Sequence, residues 1–261
     1  MELEALTKAR MDFSGQSHCS PDDKMVPDFY EKLHLALSPI PQQEKKTAYI
    51  VVAHLVNSLT TFLEALVGDN EIGAVIPKGS QTVAQVADSL KEHYESVLDH
   101  GITKDDCFSH PERVSDFLNN FMKKYPPEEY QYEIMDHGGY FAQHMYSLPR
   151  AFFDHCTGIT EHTLNGHLAY EKVIKNHGQL LAPIFSIARA KVKAQENKEI
   201  ADCTANAIFT KILGPEGLHR ASSRLGKVAI IGAGNIGKST GEIVATRLQA
   251  RTKLVICDTN P

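Results

Sequence analysis

Gly232, Gly234 and Gly237 directly follow an apolar run at residues 228–231. This is the spacing of a phosphate-cradling turn between a strand and a helix. Gly232 permits the tight turn, Gly234 the close approach of a pyrophosphate, and Gly237 the packing of helix on strand, with Asn235 and Ile236 completing the turn. The phosphates then meet the positive end of the helix expected over residues 238–248. A second apolar run at 253–257 ends in Asp258, 21 residues beyond Gly237. At that distance a carboxylate reaches the ribose hydroxyls of NAD. The plainer alternative is an ordinary glycine turn, and the paired strand with its terminal acid argues against it.

A second group of reactive residues lies upstream. The β-branched, apolar stretch 47–53 reads as a buried strand that ends at His54. Residues 57–67 follow with helical spacing, so His54 falls at a strand's carboxyl end, where open α/β sheets keep their ligands. Asp136 and His137 end another strand in a glycine-bearing turn and are candidates for acid–base chemistry. On spacing alone it is equally plausible that Asp136 only caps its own turn. Glu161 and His162 open a third polar turn, in which Thr160 reads as a helix N-cap with Thr163 and Asn165 near the first helical turn. The plain role of Glu161 there is to complement the helix dipole.

The elements that must position these groups alternate strand and helix. A short helix is expected near residues 29–37, a strand at 72–77, helices at 82–98 and 111–125, a short strand at 180–187 and a long charged helix at 191–213. Alternation on this scale implies a parallel sheet with flanking helices, an α/β fold, followed by the β-α-β start of a dinucleotide domain. The expected division is a substrate-binding domain over 1–190 and, over 191–261, a hinge helix with the incomplete cofactor domain. Such a domain needs further strands, so a chain ending at Pro261 reads as a truncated piece of a longer protein.

With 42% hydrophobic and 23% charged residues the chain has an ordinary globular composition. No apolar run is long enough to span a bilayer, and the acidic opening residues do not form a signal peptide, so a cytoplasmic protein without a membrane partner is expected. A net charge of −5 argues against a nucleic-acid surface. Cys19, Cys107, Cys156, Cys203 and Cys257 lack C-x-x-C spacing and read as reduced thiols, so no metal site is expected from them. Convergence of His54, His137 and His162 on a metal ion is a weaker possibility, since no local ligand spacing supports it.

Taken in order, these motifs resemble the S-adenosylhomocysteine hydrolase family, from about Tyr49 to Pro261. Ala53, His54 and Leu55 stand for the family's Leu-His-Met. Ile134 to Gly139 stand for its Leu-Asp-Asp-Gly-Gly, and Gly158 to Thr163 for its Gly-Ile-Ser-Glu-Glu-Thr. Residues 182–187, Lys193 and Asn197, and the glycine segment 226–238 follow in the family's order. The resemblance implies a substrate domain, a hinge and an NAD domain, small-molecule substrate chemistry that begins with oxidation of a ribose 3′ position, and a homo-oligomer. It places His54, Asp136, Glu161 and Lys193 at active-site positions, with Thr163 and Asn165 joining the cofactor set of Gly232, Gly234, Asn235, Ile236, Gly237 and Asp258.

The departures fall on the chemistry. His137 replaces the second aspartate, His162 the glutamate that grips the ribose, Asn197 the aspartate beside the lysine, Lys198 the asparagine after it, and Val56 a threonine on the adenine side. A carboxylate accepts from two hydroxyls, whereas imidazole offers one donor and one acceptor. Poor hydrolysis of adenosylhomocysteine is therefore expected. Two readings follow: an NAD-dependent enzyme with a different nucleoside-like or polar substrate, using His137 and His162 as acid and base, or a binding or regulatory relative without turnover. The simultaneous replacement of two acids by histidine, at His137 and His162, favours the first. The 261-residue chain alone is expected to be inactive.

Overall fold

The computed structural model describes residues 45–55, 58–67, 70–82, 102–190, 192–212, 227–248 and 253–258. The helices expected over 29–37 and 82–98, together with Val56 and Cys19, lie outside the described residues. The chain divides into two compact units, one up to Phe185 and one from Ser186 on.

The first unit carries a five-stranded sheet. Its elements are β1 (Lys46–Leu55), α1 (Ser58–Val67), β2 (Glu71–Thr82), α2 (Lys104–Ser109), α3 (Pro111–Lys124), β3 (Tyr130–Asp136), α4 (Arg150–Phe153), β4 (Cys156–Glu161), α5 (Leu164–His177) and β5 (Ile184–Ser186). The strand order is β2-β1-β3-β4-β5, with β1 parallel to β2 and β3, and β3 parallel to β4. Strand order therefore reverses between β1 and β3, which opens a crevice at their carboxyl ends. β2 runs on through Thr82, where a helix start was expected, and a register shift beside Ala53 and Leu55 accommodates the extra length.

Both faces of the sheet are covered, as the near-continuous apolar strands require. On one face Ala48, Ile50 and Val52 of β1, Ala74 and Ile76 of β2, Tyr132 and Ile134 of β3 and Ile159 of β4 pack with Phe117, Leu118 and Phe121 of α3 and with Phe152 and Tyr170. Tyr132 stacks on Phe152 with ring centroids 4.8 Å apart and donates its hydroxyl proton to the Tyr125 carbonyl at 2.7 Å, so its polar end is satisfied where the ring is buried. On the other face Val51 and Leu55 meet Leu59 and Leu63 of α1. Gly73 is needed for the first packing, because a Cβ there falls 2.4 Å from the Phe121 ring.

The two-residue period of the strands decides what reaches the crevice. On the first face the residues after Ile76, Val52, Ile134 and Ile159 in the same parity are Lys78, His54, Asp136 and Glu161. One reactive side chain thus stands in the carboxyl-terminal half of each of four adjacent strands, on one face of the sheet.

The second unit comprises α6 (Val192–Ala207), a π-helical turn (Ile208–Ile212), β6 (Lys227–Ile231), α7 (Asn235–Leu248) and β7 (Lys253–Cys257), with β6 and β7 parallel. Ala205, Phe209 and Val244 form its small core, backed by Val228, Ile243 and Leu254. Among the described residues no helix is long and apolar enough to cross a membrane, and Cys107, Cys156, Cys203 and Cys257 are free.

Candidate functional site

Asp136 is fully buried at the end of β3 and bonded on three sides. Its carboxylate accepts from the backbone amides of Tyr140 at 3.0 Å and Phe141 at 3.3 Å, and from the Tyr170 hydroxyl at 2.6 Å. The geometry is that of the turn-holding alternative, with Tyr170 of α5 added. Burial, followed by the charge of Glu161, pushes its pKa up to about 6 against the pull of those three bonds.

Glu161 mirrors it on the next strand. Its carboxylate accepts from the backbone amides of Gly138 at 3.2 Å, Gly139 at 2.9 Å and Thr163 at 2.6 Å, and from the Thr163 hydroxyl at 2.8 Å. Gly138 and Gly139 adopt positive φ values of 124° and 72°, a conformation glycine takes without strain. β4 continues through Glu161, so the helix cap is Thr163, not Thr160 as its position suggested. Thr163 accepts from the Gly166 amide at 3.0 Å while donating to Glu161. Gly166 is required by the same arrangement, since a Cβ there falls 2.1 Å from the Glu161 carboxyl carbon. Both acids therefore tie turns together, and their oxygens are occupied by neutral donors from the protein.

What the crevice gathers above them is imidazole. His54 and His137 meet edge to face with ring centroids 5.3 Å apart, and His137 and His162 lie nearly parallel at 6.0 Å. The three rings come from the ends of β1, β3 and β4, and His162 is fixed through its amide bond to the Asp136 carbonyl at 3.1 Å. The His54 pKa is lowered, first by burial and then by the positive charge of Lys78. Lys78 itself is lowered by burial, against the attraction of Glu161 and Asp136. Among the described residues no group of three His, Cys, Asp or Glu side chains is arranged to hold a metal ion.

Lys78 is not among the expected site residues, because Pro77 marks the end of the expected strand. The signal was present in the alternation: counting Ala74, Ile76, Lys78 puts its side chain on the face that carries His54.

No protein-family model matches the chain, and no curated protein matches it.

The remaining expected site residues lie elsewhere. Asn165 is exposed in the first turn of α5. Lys193 and Asn197 belong to α6 in the second unit, where the Lys193 ammonium pairs with Glu196 one helical turn on. The glycine turn follows β6. Gly232 has a φ of 103°, a Cβ on Gly237 would fall 1.8 Å from the Gly232 carbonyl oxygen, and Gly234 opens onto empty space. The Asp258 carboxylate accepts from the Ala233 amide at 2.5 Å, which places the acid against the turn. Asn235 and Ile236 begin α7 and are exposed.

The raised pKa of Asp136 gives stability a pH dependence of known sign. The unfolded carboxyl releases its proton near 3.8 and the folded one near 6, so folding takes up a proton between those values. This group's contribution is therefore most favourable below the unfolded pKa and declines as pH rises through about 6, by a few kcal/mol at most. In urea unfolding, the stability gap between the native chain and Asp136→Asn is expected to narrow from about pH 4 to about pH 7. A gap independent of pH refutes the assignment.

Proposed function

We propose that this protein is an NAD(H)-dependent enzyme, related to adenosylhomocysteinases, that performs acid–base and redox chemistry on a polar small molecule in the His54, His137 and His162 crevice. The observation that carries the reading is the convergence of three imidazoles at the point where strand order reverses. Imidazole is the side chain whose ordinary pKa lies near neutrality, so adjacent rings suit transfer of a proton to and from a reacting group. Asp136 and Glu161 hold the turns that aim His137 and His162, which makes them positioning residues in this scheme.

The cofactor reading is supported by the glycine turn. Gly232 and Gly237 are conformationally and sterically required, Gly234 leaves space for a pyrophosphate, and Asp258 stands beside the turn where ribose hydroxyls would lie. Gly232, Gly234, Asn235, Ile236, Gly237 and Asp258 are the residues that would hold it. When bound, the nicotinamide supplies a hydride acceptor.

A binding or regulatory protein without turnover is the second reading, favoured by Lys193, whose ammonium pairs with Glu196 on its own helix. One experiment separates them. The protein is loaded with NAD and mixed with nucleosides, sugar derivatives and hydroxy acids while absorbance of the reduced cofactor is followed. Reduction by any of them supports the enzyme. A flat trace across the set, with NAD affinity intact and lowered by Asp258→Ala, supports the binding protein, and absence of NAD affinity overturns both cofactor readings.

A further inference from the structure

We propose that the bulge of β2 opposite His54 is a positioning device: the main-chain carbonyl of Lys78, released from the strand ladder, accepts the Nε2 proton of His54 and leaves Nδ1 as the proton-accepting atom of the crevice. The proposal rests on the reading of this crevice as a site of acid–base chemistry, and assigns one atom and one direction of transfer within it. Lys78 acts here through its backbone and through the ring it holds, which makes it a positioning residue.

Ala53 pairs with Pro77 and Leu55 with Thr82, so His54 stands opposite residues 78–81 of the neighbouring strand. A regular parallel ladder commits its carbonyls to evenly spaced bonds between the strands. Several residues opposite one break that spacing, and bulges of this kind re-aim groups beside functional sites. β2 lies at the edge of the sheet, so the distortion disturbs no second ladder. The Lys78 main chain bonds to the His54 imidazole across this gap. That bond favours the protonated ring, which makes the imidazole the donor and the Lys78 carbonyl the acceptor.

Nδ1 of His54 is buried and has no hydrogen-bond partner among the described residues, so the bond to Lys78 falls to Nε2. A neutral ring with its proton on Nε2 carries a lone pair on Nδ1. A buried acceptor without a donor is unfavourable in the resting fold, and an incoming O–H is rewarded there. His137 meets the ring edge to face at 5.3 Å and limits its rotation, so exchange of tautomers requires Nε2 to leave the carbonyl. The chemistry this selects is removal of a hydroxyl proton from a polar substrate. The O–H bond breaks, its electron pair stays on oxygen and the proton passes to Nδ1. The Lys78 carbonyl, still accepting from Nε2, then supports the imidazolium.

The test is NMR of the 261-residue chain with isotope-labelled imidazoles, at about pH 8, above the ordinary histidine pKa. His54, assigned by the loss of its signals in His54→Gln, is expected as a single tautomer with the proton on Nε2 and Nδ1 bare. Deleting Gly79 and Ser80 shortens the bulge without changing the face taken by later side chains, and is expected to replace that state with an average of both tautomers. If the deletion fails to fold, stability carries the comparison. The amide of His54→Gln can donate from the place of Nε2, whereas that of His54→Asn reaches only the place of Nδ1, so His54→Gln should keep a urea midpoint nearer to the native one. A native proton on Nδ1, an averaged native tautomer, a tautomer that survives the deletion, or His54→Asn at least as stable as His54→Gln overturns the proposal. With any compound that reduces the cofactor, the deletion is expected to lower kcat roughly tenfold or more while KM changes far less, because it misplaces a proton and not the substrate. A fixed Nε2–H tautomer without cofactor reduction by any compound retains the device and removes the redox reading. Cofactor reduction with an averaged tautomer does the reverse.

Discussion

Glu161→Ala is expected to lower the unfolding free energy by about 3–5 kcal/mol, the range for removing one side of a buried charged network. The substitution strands the amides of Gly138, Gly139 and Thr163, which converge on this carboxylate from both sides of the crevice. Gly139 is buried, so water does not readily replace the lost acceptor there. Glu161→Gln keeps one carbonyl oxygen but turns an NH2 group toward N–H donors, and is expected to cost roughly half as much. Gly166→Ala attacks the same contact from the opposite side, since its methyl group needs the space of the carboxylate. Both it and Glu161→Ala should shift the urea midpoint strongly. A loss under about 1 kcal/mol for Glu161→Ala would show that the network contributes little net stability.

On the proposed enzymatic reading, His137→Asn is expected to reduce turnover by a factor of about 10²–10⁴, the usual contribution of a positioned acid or base. Its ring stands between the other two, 5.3 Å from His54 and 6.0 Å from His162, so it is the group through which both are coupled. It lies just beyond β3, partly buried, and outside the acid-centred hydrogen bonds that tie the turns, so its replacement should shift the urea midpoint far less than Glu161→Ala. The measurement is the rate of cofactor reduction with whichever compound proves to be a substrate, across pH. Loss of one limb of the pH–rate profile together with the fall in rate identifies proton transfer. An unchanged profile at full rate removes His137 from the chemistry.

Much of the architecture was legible because apolar runs of strand length are hard to misread. Residues 47–53 announced β1, the proline at 111 announced the start of α3, and the long charged run announced α6. The position of His54 at a strand end followed directly. What could not be read was the use of the carboxylates. Asp136 is held by Tyr170, 34 residues away, and Glu161 by glycines 22 and 23 residues earlier, and no local pattern reports contacts at that range. Thr160 illustrates the boundary problem: its hydroxyl suited a helix cap, but pairing of Met135 with Thr160 and of Asp136 with Glu161 carries the strand past it. Lys78 is hidden by Pro77, a residue that commonly marks a strand's end but here lies inside β2.

β1 lies inside the sheet, and its partner β3 begins 84 residues later, with Lys46 beside Tyr130. The middle of the sheet is thus assembled from the ends of a long stretch of chain. Closing that loop precedes any reward from the pairing, so refolding is expected to be slow for a domain of this size. It also means that the histidine crevice forms late in the synthesis of this unit: until the ribosome has released residues as far as β3, His54 waits near the end of an edge that has no neighbour on that side.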